Sequence, residues 1–436
     1  MERRAFLMAS AAGGLVSAMP PAALSKERPM PLLVNPGIDR SRAQFLLGQA
    51  GLDGVIVSRP ENVFYATGHW SFMSRIGVSD ACFAIIPAQK DVPIFFVSPQ
   101  FSYYYVTGDV DLSSGVEPYL VTGHDGSGAA NPSFYPDAYG TAAPPRELRR
   151  RAKTQIAAPF HADSVTAISA ALTKLGITGG RIGYDSLEAQ HLLAAASDAA
   201  QGFGAVDTVK NLRLIKTPFE VELMKAASSA NIAAARKTAA NMRHLGTIKH
   251  VREAFNAEAS RLGNTPGFMA VNASVDEAYD AELVEGTSVL IDCVSSLRGY
   301  HGDFGRTIFI GEPRKEMADK VKVMGLAWNE LRNQLKPGMR FSEIRSAGSA
   351  ILAKMGNTLN VPFGPHCVGL AHTEQPLHDW QGAPIDTVLE AGMIISVDCP
   401  LMEASPLGTA HLEDLTLITS DGHASIHDNS NDFIIV

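Results

Sequence analysis

The chain has 436 residues, 46% of them hydrophobic and 19% charged. That is too apolar for a disordered protein and too evenly mixed for a fibrous one. Its 37 Lys and Arg against 45 Asp and Glu leave a net charge of −8, the wrong sign for a partner of polyanions, so no nucleic-acid partner is expected. The four cysteines, Cys82, Cys293, Cys367 and Cys399, contain no CxxC pair, which excludes a disulfide framework, a zinc ribbon and a thioredoxin-like motif.

The N-terminus reads as an export signal. Arg3 and Arg4 precede Phe6-Leu7, and an uncharged Ala- and Gly-rich run continues to about residue 23. The run is too short and too weakly apolar for a permanent membrane anchor. Adjacent arginines followed by x-Phe-Leu resemble a twin-arginine signal, which implies export of an already folded protein to the periplasm or beyond. An ordinary secretion signal is the alternative. Residues 1–25 are assigned to this segment.

Residues 30–205 read as an α/β domain. Short apolar runs at 53–58, 84–86 and 92–97 predict strands bounded by turn residues. Asp163 caps a helix that ends at Gly176. Arg181–Asp185 predicts another strand, and Ser186 caps the next helix. The Gly-, Ser- and Pro-rich stretch 123–145 is long enough to be a functional loop, such as a lid. The basic run Arg146, Arg149, Arg150, Arg151 and Lys153 reads as a solvated helix face. The aromatic group Phe95, Phe96, Phe101, Tyr103, Tyr104 and Tyr105 is either a contact surface or ordinary core.

Residues 206–436 form the second domain. Thr217-Pro218-Phe219-Glu220 is a capping box with proline at the first helical position. Further helices are predicted at 247–262, 317–335 and 341–355, interleaved with strands at 288–293, 303–310, 393–398 and 411–419. The fold class is therefore α/β, in the broad sense that includes α+β.

Five residues of this domain stand out: Asp292, Asp303, His366, Asp398 and Glu413. Each acid adjoins a strongly apolar strand, where an unpaired charge is expensive. Four carboxylates and an imidazole suit two bridged divalent cations such as Mn, Co, Fe or Zn better than one structural zinc. Two such ions can share a water, lower its pKa and polarise a carbonyl.

This order and spacing resembles the pita-bread metallopeptidase family, of the M24 type, which includes methionine aminopeptidase, aminopeptidase P and prolidase. The resemblance rests on the eleven-residue step from Asp292 to Asp303 followed by Arg306-Thr307, and on His366-x-Val-Gly-Leu with Glu374 and Pro376 behind it. Leu212-Arg213-Leu214-Ile215-Lys216-Thr217-Pro218 with Glu220 looks like the start of the family's catalytic domain, and Pro60–Gly68 like its strand-loop signature. The resemblance implies a creatinase-like α/β domain followed by a pita-bread domain, whose mixed curved sheet is covered by helices. It implies that Asp292 holds one metal, that His366 and Asp398 hold the other, and that Asp303 and Glu413 bridge them, with manganese as the first candidate. It also implies a homodimer, and a small peptide substrate with an Xaa-Pro bond.

Four positions depart from the family pattern. Asp398 stands where Glu is usual. No His lies about seventeen residues before Asp292, where the sequence reads Asn272–Asp280. The family's second His position is Thr373, with His372 one place earlier. His411 stands where Arg is frequent, two residues before the last acid. Strand periodicity places His301 on the face of Asp303 and His411 on the face of Glu413. His372 or His301 is therefore expected to replace the missing His in acid–base or anion-stabilising work, with Glu374 as a further catalytic candidate. His411 and Tyr300 are expected to face substrate; orientation of the ligand carboxylates is the alternative role for His301 and His411. The leading function is a dinuclear Xaa-Pro peptidase. A metal-dependent lyase or small-molecule amidohydrolase, of the creatinase or dimethylsulfoniopropionate-lyase kind, is the alternative. Cys293, Cys367 and Cys399 each follow a candidate ligand. For Cys293 and Cys399, alternation turns the sulfur into the layer behind.

Overall fold

A computed structural model describes residues 37–78, 81–107, 110–122, 144–157, 160–375, 386–405, 408–427 and 433–436. Residues 1–25, expected to be an export signal, Pro376 and most of the 123–145 stretch lie outside the described residues. Asn35–Val436 form one compact unit.

Six strands build the first sheet: β1 (Gly54–Val57), β2 (Phe83–Pro87), β3 (Ile94–Pro99), β4 (Val116–Val121), β5 (Arg181–Tyr184) and β6 (Gln201–Gly204), in the order β4-β3-β2-β1-β5-β6. The central strands are apolar because both faces are covered. Phe95 and Ile56 pack under the helix Ser164–Leu175, while Phe96 and Val57 belong to the core on the other side. Asp163 and Ser186 cap helices as the sequence predicts, each accepting a backbone N–H. The aromatic group is mostly core: Phe95, Phe96, Tyr103 and Tyr104 are buried and only Tyr105 is exposed. The basic run lies on the helix Pro145–Ile156. One expectation is corrected. Pro60–Thr67 is a helix, not a strand and loop, with Pro60 in its first turn and Gly68 (φ 72°) as its left-handed cap.

His69 follows that cap. It is buried with neither ring nitrogen hydrogen-bonded, against the rings of Phe96 and Tyr103. Burial holds its imidazole down at about 3, against 6.5 when exposed. A depressed histidine contributes stability above pH 6.5 that is lost as pH falls toward 3, at up to about 1.4 kcal/mol per pH unit. His69→Phe is expected to flatten that part of the acid limb. Urea unfolding of both proteins between about pH 7 and pH 4 measures it, and parallel curves would contradict it.

The remaining strands are β7 (Thr265–Val271), β8 (Ser288–Leu297), β9 (Tyr300–Phe309), β10 (Gly364–Cys367), β11 (Ile394–Asp398), β12 (Leu401–Ser405), β13 (Gly408–Ala410), β14 (Glu413–Asp414), β15 (Thr416–Ile418), β16 (His423–Ser425) and β17 (Phe433–Ile435). One sheet runs β12-β13-β8-β9-β14, with β7 paired to β8 and β17 to β9. A second runs β10-β11-β15-β16. The helix Pro218–Ala239, started by the Thr217/Glu220 capping box, lies so close to β9 that a Cβ on Gly302 would come within 2.8 Å of Ser228 Cα. That fixes the faces of β9. Gly302 looks at the helix, so Asp303 looks away from it. Among the described residues no helix is long and apolar enough to cross a membrane.

Candidate metal centre

The strand register assembles the acids. In the three adjacent strands β8, β9 and β14, Asp292 pairs with Gly305 and Gly305 pairs with Glu413. Asp292, Gly305 and Glu413 thus form one row on one face, and Asp303 lies two residues along β9 on that same face. The second sheet contributes from opposite. His366 pairs with Ser396, and Asp398 lies two residues beyond Ser396. Ser396 donates to Glu413 Oε1 at 2.6 Å, which ties the two sheets together at the acids.

The five ligand candidates converge. His366 Nε2 is 3.7 Å from Asp303 Oδ2, 3.7 Å from Asp398 Oδ2 and 3.5 Å from Glu413 Oε1. His372 Nε2 is 3.1 Å from Asp303 Oδ2, and the His366 and His372 rings lie 4.8 Å apart. Three overlapping trios have ligand atoms within 4.8 Å of one another: Asp303 with His366 and His372, Asp292 with His411 and Glu413, and His366 with Asp398 and Glu413.

Buried groups of this kind normally saturate their hydrogen bonds. Here Asp292 Oδ1 makes no hydrogen bond, and the Asp303 and His366 polar atoms meet one another, His372 and the neighbouring acids. The donor set therefore fits divalent cations, which need convergent lone pairs without competing donors.

The electrostatics record the same crowding. Burial, then Glu413 and Asp303, hold the Asp292 carboxyl well above the usual range. Burial and Glu413 raise Asp398 to about 6. Glu413 resists burial and the Asp303 charge through His366 and His411, and sits at about 2. Burial opposes protonation of His411, yet Glu413 and the acids around it raise it to about 9.

Backbone bracing holds the last acid in place. Arg306, on the opposite face of β9, donates to the Glu413 carbonyl at 2.9 Å and to Asp414 Oδ1 at 2.7 Å, and Trp328 Nε1 holds the other Asp414 oxygen at 3.1 Å. Thr307 Oγ1 accepts from His411 N–H and lies 3.0 Å from the His411 carbonyl.

The histidines divide. His372 faces the acids, its ring edge against Phe268, although it stands one place from the usual position. His301 shares the Asp303 face, and its Nδ1 lies 2.9 Å from the Gly369 carbonyl. A carbonyl only accepts, so Nδ1 carries the proton and Nε2 is the lone-pair side. Burial lowers the His301 imidazole, whereas Asp303 outweighs burial and raises that of His372.

Two expected site residues serve elsewhere. Glu374 is buried and ion-paired with Arg213, and its Oε1 accepts from Leu370 N and Ala371 N. Its lone pairs are committed, so it clamps the loop that carries His372 rather than acting on substrate. Gly369 leaves room for that carboxylate, since a Cβ there would lie 2.3 Å from Glu374 Oε1. Tyr300 is 2% exposed and donates to Glu220 Oε1 at 3.0 Å, beside Phe64. It is a core residue and not a substrate contact.

Sequence reasoning missed Arg213, Asn62 and Ser396. Arg213 Nη1 donates to Asn62 Oδ1, and Asn62 Nδ2 donates to Asp185 Oδ2. An arginine inside an apolar helix end was the available signal. The cysteines follow strand alternation: Cys293 enters the core under the helix Pro218–Ala239, and Cys367 and Cys399 enter the core behind the second sheet. All four are free and buried. A cavity of about 950 Å³ opens at the β8–β9 turn, lined by Phe64, Trp70, Leu297 and Arg298, and none of the acids lines it.

Comparison with known proteins gives the same picture. Residues 222–420 match the model of metallopeptidase family M24. A probable dipeptidase PepE of Mycobacterium bovis is 27% identical over 267 residues, covering 58% of this chain and 69% of its own. The Xaa-Pro dipeptidase of Pyrococcus furiosus is 27% identical over 230 residues, covering 50% and 64%. Among solved structures, an X-Pro aminopeptidase from Thermotoga maritima superposes with a TM-score of 0.68 at 16% identity, covering 91% of this chain and 100% of its own. An Xaa-Pro dipeptidase from Bacillus anthracis does so with 0.64 at 18% identity, covering 91% and 99%. These superpositions establish the pita-bread fold. The fold, the matched segment and the converging acids agree: the stretch that carries the acids and imidazoles matches metallopeptidase family M24.

Proposed function

We propose that this protein is a dinuclear metal-dependent peptidase acting on small peptides at an Xaa-Pro bond. The observation that carries the reading is the pair of ligand trios that share Glu413, one around Asp292 and one around His366 and Asp398. The peptidases named among its relatives support the substrate class. Asp292, Asp303, His366, Asp398 and Glu413 would hold two divalent ions, with manganese, cobalt, iron and zinc as candidates. Ions bound there would supply Lewis acidity to a carbonyl and lower the pKa of water.

The chain's own residues supply the rest. His372 Nε2 lies 3.1 Å from Asp303 Oδ2, and with that carboxylate given over to an ion its N–H would be released to donate to the oxygen that gains charge as the carbonyl is attacked. His301 presents the lone pair of Nε2 from the same face and can accept a proton there. Glu374 keeps the loop of His372 in register by holding two of its backbone N–H groups.

Metal-loaded mature protein should cleave Xaa-Pro dipeptides or longer Xaa-Pro peptides faster than non-proline controls. Failure of a fully metallated sample to cleave any of them would overturn the reading in favour of a lyase or an amidohydrolase on this fold. His372→Gln should lower kcat by about 10²–10⁴-fold while metal content and KM hold. Unchanged kcat would remove His372 from the reaction. Export through the Arg3-Arg4 segment and assembly as a homodimer are part of the same proposal, on the strength of the sequence resemblance.

A further inference from the structure

We propose that His411 is a sixth protein ligand of the metal centre, completing the position held by Asp292, so that each of the two ions has an imidazole of its own. The inference rests on the dinuclear reading above and adds a ligand to it.

The geometry begins at Gly305. In the row Asp292–Gly305–Glu413 the middle residue has no side chain. The His411 ring fills that space: a Cβ on Gly305 would lie 2.2 Å from His411 Cδ2 and 2.5 Å from Nε2. The Nε2 edge therefore lies over the middle strand, between the acids of its two neighbours. Nε2 is 3.2 Å from Glu413 Oε2, and one ring nitrogen lies within 4.8 Å of oxygens from both Asp292 and Glu413. His411 is 3% exposed, and its backbone is fixed at both N–H and C=O by Thr307 Oγ1. The ring is thus positioned before any ion arrives.

Two observations separate ligation from mere orientation. Asp292 Oδ1 is buried and makes no hydrogen bond, so this carboxylate keeps a lone pair for an ion. Glu413 already has an orienting donor in Ser396 at 2.6 Å. The Ser396 bond fixes Oε1, so the carboxylate is already oriented when His411 meets the other oxygen, Oε2. An imidazole placed there to ligate gives the Asp292 position a nitrogen donor matching the one that His366 gives the other. Nitrogen ligation shifts preference from manganese toward cobalt and zinc.

The test is a Co²⁺ titration of the chelator-stripped full chain, following bound equivalents by equilibrium dialysis and visible absorption. His411→Ala and His411→Gln are compared with wild type. The Gln variant keeps an N–H donor for Glu413 but has no imidazole nitrogen. Wild type should bind two equivalents. Both variants should keep the first and bind the second on the order of 10–100-fold more weakly, with a changed absorption band. Rescue by Gln to wild-type affinity and spectrum would show an orienting role and overturn the proposal. So would retention of both equivalents in the Ala variant, or loss of both in each variant. Wild type binding fewer than two equivalents would instead overturn the dinuclear reading itself.

Discussion

Asp292→Asn is expected to lower peptide turnover on the order of 10³-fold, because an ion's contribution to the transition state is worth several kcal/mol. The same change should make the metal-free protein more stable at neutral pH. Both effects have one cause. Asp292 lies in a buried row with Glu413, and Asp303 is two residues from the row's centre. Burial and those two charges hold its carboxyl well above the usual range. A carboxyl raised on folding costs stability wherever the unfolded chain would ionise, from about pH 4 upward. Asn keeps the shape and removes that cost, but it also removes the charge that attracts a cation. The melting curves of the two proteins should therefore cross. Without metal the variant melts above wild type. With metal it melts below, because wild type gains the larger binding free energy. Thermal melts with and without chelator read this directly. A variant less stable in both states would show that Asp292 is a structural residue.

Arg213→Met is expected to destabilise the protein by about 3–5 kcal/mol, the usual effect of leaving a buried carboxylate without its partner. Arg213 is 2% exposed and Glu374 is 1% exposed. The pair does not stand alone. Arg213 also binds Asn62, which binds Asp185, so the contacts run from the end of the first sheet to the loop that carries His372. The double variant Arg213→Met/Glu374→Gln should recover part of the loss, because no charge is then left unpaired. Denaturant unfolding of the two variants and wild type measures this. Equal stability of the single variant and wild type would contradict it.

The residues also show which parts of this architecture are readable from sequence. The helix at Pro218 was legible because its cap is local: Thr217 and Glu220 satisfy each other's backbone within one turn. The acids were legible because a charge at the end of an apolar strand has few structural uses. Pro60–Thr67 was expected as strand and loop through the family resemblance alone, whereas its helix is decided locally, by Pro60 in the first turn and the Gly68 cap. Tyr300 and Glu374 misled for a tertiary reason. Each adjoins site residues in sequence, but Tyr300 is claimed by Glu220 and Glu374 by Arg213, partners more than seventy residues away. The row through Gly305 was not legible at all. It depends on the register of three strands, and a glycine in sequence does not say which side chain will occupy the space above it.

In the proposed reaction two divalent ions, held by these acids and imidazoles, cleave a peptide bond. The measurement that tests it most directly is a Mn²⁺ titration of chelator-stripped protein, read as hydrolysis of an Xaa-Pro dipeptide. Activity should be absent without metal, should appear on addition and should saturate at two ions per chain. Cleavage that persists in the stripped protein, or a fully loaded protein that cleaves no peptide, would contradict it.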